Sequence, residues 1–192
     1  MRLFEGYPVL SDDCVILRRM DTADCDSLKA FVQDLEVYRY LPTFLYEQKY
    51  SDPEIMLERM DEEMIRPKES LFLGVYPVSE PETFAGIAEV YSYEPEREKA
   101  SIGYRLSRAF WGRGMATHVA KLMKDYLFQE AGIHLITAHI MTENRASARV
   151  VRKNGFFNIV ENMEEDWGFP ETVLVDVYAA HFHGKEENAS RG

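Results

Sequence analysis

Apolar and polar positions alternate with a period of two in some stretches of this chain and near 3.6 in others. That switching predicts helices interleaved with strands. Val15-Ile16-Leu17-Arg18 reads as a first strand. Asp21 or Thr22 suits a helix cap, and Leu28, Phe31, Val32 and Leu35 then fall on one helical face. Asp52-Pro53-Glu54 starts a second helix, which Pro67 stops. Within it Met56, Met60 and Met64 make a deformable packing face bordering a cleft. Residues 71–76, 84–91 and 100–106 read as strands. A helix from 115 to about 131 follows, then a central strand over 133–141. Residues 145–153 read as a short helix capped by Asn144 and ended by Asn154-Gly155. Residues 156–160 and 172–181 complete the strands, and 184–192 read as a loose polar tail. With no repeat and no long linker, the expectation is one α/β (α+β) domain over residues 10–183: a mostly antiparallel, twisted sheet flanked by helices.

A length of 192 residues suits a single domain with a substantial core, and 46% hydrophobic with 29% charged residues is ordinary for a soluble globule. No apolar run is long enough for a membrane span, and the first six residues lack the apolar core of a signal peptide. Two cysteines, Cys14 and Cys25, without a C-x-x-C spacing fit a reduced, cytoplasmic chain. The formal net charge of −11 argues against nucleic acid as a partner and is compatible with a cationic acceptor such as an amine.

The chemistry concentrates in Trp111-Gly112-Arg113-Gly114-Met115-Ala116, between a strand and a helix start. Such a turn gathers free backbone N–H groups at the positive end of a helix dipole, which suits a phosphate; a purely structural turn has the same residues. Arg113 and Arg149 are basic residues near enough in sequence to this region and the next motif to help hold an anion. The histidines form no metal-ligand pattern with the cysteines, and no G-x-S-x-G elbow marks a serine hydrolase.

A second segment, Asn144-Arg145-Ala146-Ser147-Ala148-Arg149-Val150-Val151-Arg152-Lys153-Asn154-Gly155-Phe156, follows the first at about one helix plus one strand. Together the two resemble the acyl-CoA N-acyltransferases of the GNAT superfamily. Trp111, Gly114 and Ala116 occupy the places of its Q/R-x-x-G-x-G/A pyrophosphate signature, Trp111 departing from the polar first position. Asn144, Ser147, Val150, Lys153, Gly155 and Phe156 match N-x-x-S-x-x-V-x-x-K-x-G-F of the ribosomal-protein-alanine N-acetyltransferase (RimJ/RimL-type) branch. The stretches 15–24 and 37–42 are similar to that branch as well.

The resemblance implies a sheet splayed open for pantetheine and an acetyl-CoA-dependent N-acetyltransferase using direct amine attack in a ternary complex. Its cofactor contacts map onto Tyr104, Leu106, Gly112, Arg113, Gly114, Met115, Ala116, Thr117, Asn144, Ser147 and Arg149, with no metal. Ser147 is the implied hydrogen-bond donor to the CoA sulfur. Many relatives carry a glutamate where this chain has Ser101, so the base is expected elsewhere. Glu89 is one candidate. Glu161, Glu164, Glu165 and Asp166, reaching in from a loop, are others, as is a water path. The acceptor is expected to be a protein N-terminus, a ribosomal protein's among them, or a small amine. It is expected to be chosen by residues 22–66 and 161–171. A homodimer is compatible with this reading. The missing glutamate also leaves open a catalytically weak CoA-binding module of the same fold.

Overall fold

The computed structural model describes residues 3–182, so the expected loose tail at 184–192 lies outside the described residues. Eight strands form one sheet: β1 (Leu10–Ser11), β2 (Val15–Arg18), β3 (Ser70–Pro77), β4 (Gly86–Glu94), β5 (Lys99–Leu106), β6 (Leu135–Met141), β7 (Phe157–Glu165) and β8 (Val173–His181). Four α-helices accompany them: α1 (Cys25–Val32), α2 (Pro53–Met60), α3 (Met115–Gln129) and α4 (Arg145–Lys153). The strand order is β1-β2-β3-β4-β5-β6-β8-β7. Every neighbouring pair is antiparallel except β5 with β6, which the α3 crossover makes parallel.

Period-two alternation divides the central strands between two cores. On β3, Leu71, Leu73 and Val75 enter a core with Val119, Met123 and Leu127 of α3. Phe72 and Tyr76 turn the other way, onto Leu28 and Phe31 of α1 and Met56 and Met60 of α2. Both faces of the sheet centre are therefore covered. Burying each such side chain is worth about 1.5–3 kcal/mol before entropy is charged.

Three expectations are corrected. Leu35 does not share the α1 face: the helix ends at Val32, and Leu35 is 80% exposed. The Asp34 side chain accepts from the Glu36 N–H, and successive turns leave Leu35 in solvent while Val37 and Tyr38 return to the core. The second helix does not run evenly to Pro67 but passes into a π-helical turn over Asp61–Ile65 after Met60. Met56 and Met60 are buried, while Met64 reaches the cleft. Finally, Glu161, Glu164 and Glu165 are not on a loop. Strand β7 continues to Glu165, aided by two register shifts against β8, and only the turn that follows is irregular.

Candidate functional site

The parallel pair β5–β6 holds together for only three residues, Lys99–Ser101 against Leu135–Thr137. The Ser101 hydroxyl meets the Thr137 hydroxyl at 2.8 Å, and both residues are buried. Beyond this clasp β5 continues to Leu106 and β6 to Met141 without pairing to each other. Two strand edges are thereby left facing a gap, a geometry suited to an extended ligand carrying amides. A cleft of about 1240 Å³ runs through the gap and is lined from both faces of the sheet.

On the α3–α4 face stand Tyr104 and Ser147. Their hydroxyls lie 3.0 Å apart. Burial pushes the Tyr104 phenol up to about 12, against the opposing pull of the Ser147 hydrogen bond. Tyr104 therefore keeps its proton at neutral pH, and the pair retains an O–H to offer to the cleft. Asn144 caps α4, its Oδ1 accepting from the Ser147 N–H at 3.1 Å, and this fixes Ser147 in the first helical turn. At the other end of α4, Gly155 adopts φ +81°, which stops the helix where expected.

Of the expected cofactor residues, Tyr104, Asn144 and Ser147 line the cleft, while the start of α3 lies outside its lining. Gly114 is the N-cap of α3 at φ +82°, and no side chain caps the helix. A Cβ on Gly112 or Gly114 would meet nothing within 4 Å, so the approach to these amides is open. Met115 anchors the first turn in the core, while Ala116 and Thr117 are half-buried beside it. The Thr117 carbonyl accepts from the Asn154 side chain, which joins α3 to the end of α4. Trp111 lends its indole N–H to the Leu106 carbonyl at 2.7 Å. This bond fixes the turn onto β5 and accounts for a tryptophan where the signature has a polar residue. It also means that Leu106 offers a carbonyl already engaged, its side chain lying in the core. Arg113 and Arg149 are both exposed, Arg113 lying over the Phe110 ring. A free helix end with Arg113 next to it in the chain suits phosphate.

The α1–α2 face of the cleft has another character. Arg105 is buried and holds Glu47 bidentately, Nε to Oε1 at 2.5 Å and Nη2 to Oε2 at 2.6 Å, while Nη1 reaches Glu89 Oε2 at 2.8 Å. Burial alone would lower the Arg105 pKa; Glu47 and Glu89 outweigh it and hold the guanidinium charged. Two carboxylates and one guanidinium leave this cluster with one surplus negative charge. The register does aim Glu89 at the cleft, where it is opposite Gly103. Its other oxygen, Oε1, accepts from Ser70 at 2.9 Å. Both Glu89 oxygens are thus engaged, so a proton arriving there would have to displace the bond from Ser70 or the one from Arg105.

Farther along the same face, His139 on β6 meets Glu165 of β7, Nδ1 to Oε1 at 2.5 Å. Of the other late carboxylates, Glu161 and Glu164 are exposed, and Asp166 accepts from the Gly168 N–H. Sequence reasoning considered His139 only as a metal ligand and missed Arg105, Glu47 and Trp167 altogether. Only the alternation of Glu89 with Tyr91 hinted at this face, and nothing local links Glu47 to Arg105. Away from the cleft, Asp12, Asp13 and His118 also come together, a grouping the sequence did not suggest. Asp12 uses Oδ1 on the Cys14 and Val15 N–H groups and Oδ2 on His118 at 2.7 Å, joining the turn before β2 to α3.

A family model described as an acetyltransferase (GNAT) domain matches residues 15–157. The chain belongs to the GNAT acetyltransferase family. This acetyltransferase is 26% identical over 162 residues to the N-acetyltransferase p20 of Bacillus licheniformis, covering 84% of this chain and 88% of that one. The solved structure of RimL, a ribosomal L7/L12 alpha-N-protein acetyltransferase in complex with coenzyme A, superposes with a TM-score of 0.75 at 17% identity. That match covers 91% of this chain and 98% of RimL. The spermidine N-acetyltransferase of Vibrio cholerae, in complex with CoA and spermine, gives a TM-score of 0.71 at 17% identity over 87% of this chain and 95% of that one. At such identities the likeness to solved structures is one of fold.

Proposed function

We propose that this acetyltransferase moves the acetyl group of acetyl-CoA to a primary amine that arrives as a cation, by direct attack within a ternary complex. The observation that carries this reading is the two-sided cleft: hydroxyl donors on one wall, a surplus negative charge on the other. Acetyl-CoA supplies a thioester carbonyl. The open amides of Gly112, Arg113, Gly114, Met115, Ala116 and Thr117, with Arg113 and Arg149, suit its pyrophosphate. The edges of β5 at Tyr104 and Leu106, with Asn144, flank the path for pantetheine. The amine nitrogen bonds the carbonyl carbon, the C–S bond breaks, and the thiolate takes up a proton. Ser147, supported by Tyr104, donates to the leaving sulfur as its charge develops.

By their names, proteins of the same fold act on a ribosomal protein N-terminus and on spermidine. Both are cationic amines, the class favoured by the Glu47–Arg105–Glu89 cluster. Among the described residues no helix is long and apolar enough to cross a membrane. The departure at Ser101 lends no support to a catalytically idle CoA-binding module, because Ser101 serves as the clasp that sets the gap. Thiol release is the test. With acetyl-CoA and a panel of peptides, polyamines and amino acids, at least one amine should produce amine-dependent free thiol. Tight acetyl-CoA binding without release for any amine would replace this reading with the binding module.

A further inference from the structure

We propose that His139 takes the proton from the incoming ammonium and that Glu165 is the positioning residue that prepares it. This rests on the function proposed above. Ile136, Ala138 and Ile140 of β6 enter the α3–α4 core, so alternation turns Thr137 and His139 to the acceptor side of the sheet. There His139 lines the cleft with Tyr91 and Trp167. A carboxylate only accepts hydrogen bonds, so the contact with Glu165 puts the ring proton of neutral His139 on Nδ1 and leaves Nε2 as its acceptor. Glu165 is itself held: its Oε2 accepts from the Trp167 indole N–H at 2.7 Å. The Trp167 carbonyl accepts from the Thr43 N–H at 2.9 Å and the Thr43 hydroxyl at 3.2 Å. The loop before α2, within the expected acceptor-selecting region, is thus fastened to the pair.

Among the cleft carboxylates named as candidate bases, Glu89 is committed to Arg105 and Ser70, and Asp166 to the Gly168 N–H. The charged and titratable groups facing His139 are Glu165 from β7, Asp166 from the turn after it, Tyr91 and Glu89 from β4, and Arg105 from β5. Tyr91 is raised by burial and then by both Glu89 and Glu165, so it stays a neutral phenol between them. Glu165, in contact with the ring at Nδ1, sets a carboxylate against the imidazolium that forms when Nε2 takes a proton.

The protons balance as follows. The ammonium gives its first proton to His139 Nε2, which passes it to solvent. The neutral amine attacks. A second proton leaves the nitrogen as the C–S bond breaks and reaches the thiolate through the Ser147 hydroxyl. The third stays on the amide.

The test uses the full chain, the variants His139→Gln and Glu165→Gln, and an amine that the parent acetylates. His139→Gln should lower kcat about 10²-fold at neutral pH. It should leave the KM for acetyl-CoA unchanged, and its deficit should narrow above the pKa of the amine, where no proton need be removed. Glu165→Gln should show a smaller loss of the same pH form. Nitrogen-15 NMR of the parent should find the neutral His139 ring protonated on Nδ1, a readout that needs neither turnover nor a foldable variant. Parental rates in His139→Gln, a deficit equal at every pH, or a ring protonated on Nε2 would overturn the assignment. A parent that transfers acetyl to no amine would overturn the functional reading instead, and the tautomer would still decide the state of His139.

Discussion

The Tyr104 hydroxyl lies 3.0 Å from Ser147 Oγ and joins β5 to the first turn of α4 across the cleft. Both groups are protonated, so one O–H can bond within the pair while the other points to an acceptor. Ser147→Ala should lower kcat by roughly 10²-fold, the cost of losing a donor that acts on charge formed in the transition state. The KM for acetyl-CoA should change little. Tyr104→Phe should cost less, since Ser147 keeps its own O–H. Steady-state kinetics with the chemical step shown to be rate-limiting checks both; an unchanged kcat in Ser147→Ala removes the serine from the chemistry.

Gly114 stands at the open start of α3 with φ +82°. Gly114→Asp places bulk and negative charge where the amides are free. CoA binding by calorimetry should weaken at least about 10-fold, a difference of 1.4 kcal/mol. Gly114→Ala, which carries the left-handed backbone penalty of about 1–2 kcal/mol without the charge, separates strain from repulsion. Undiminished CoA affinity in the aspartate variant would move the phosphate site elsewhere.

Arg105 is the positive charge shared by Glu47 and Glu89 in their buried cluster. Arg105→Met strands two buried carboxylates and should lower the unfolding free energy in urea by about 3–5 kcal/mol. Glu89→Gln keeps the shape and one hydrogen bond, and any rate deficit should be the same at every pH. A deficit that fades above the pKa of the amine would return the proton to Glu89 and take it from His139.

Partial burial tends to raise the Asp12 carboxyl, but the Val15 and Cys14 N–H groups and His118 outweigh it and hold it below its ordinary value. A depressed folded value means that the unfolded chain binds more protons in acid. The stabilisation is therefore complete above the ordinary carboxylate range and is lost as pH falls through the depressed value. The Tm gap between the parent and Asp12→Asn should be widest near neutrality and close in acid. A gap that widens as pH falls would contradict this sign.

The sequence by itself determined the order of elements, the caps and the glycine turn, because each depends on residues a few positions apart. Asn144 caps α4 through its bond to Ser147, and Gly155 ends that helix with positive φ. The family motifs were legible for the same reason: they are local backbone devices, a glycine turn at one helix start and a capped first turn at another. Leu35 was misplaced because helical spacing does not reveal that α1 ends at Val32 and gives way to turns.

Tertiary structure decided the α1–α2 face of the cleft. Glu47 and Arg105 are 58 positions apart, and His139 and Glu165 are 26 apart across two strand pairings. No local pattern encodes such meetings. Strand register decides which face a side chain takes, and a shift of one residue would send Glu89 and His139 into the opposite core. Sequence supplied a row of carboxylates of equal standing. Pairing within the fold bonded one of them to a buried guanidinium shared with Glu47, left others in water, and set Glu165 against an imidazole.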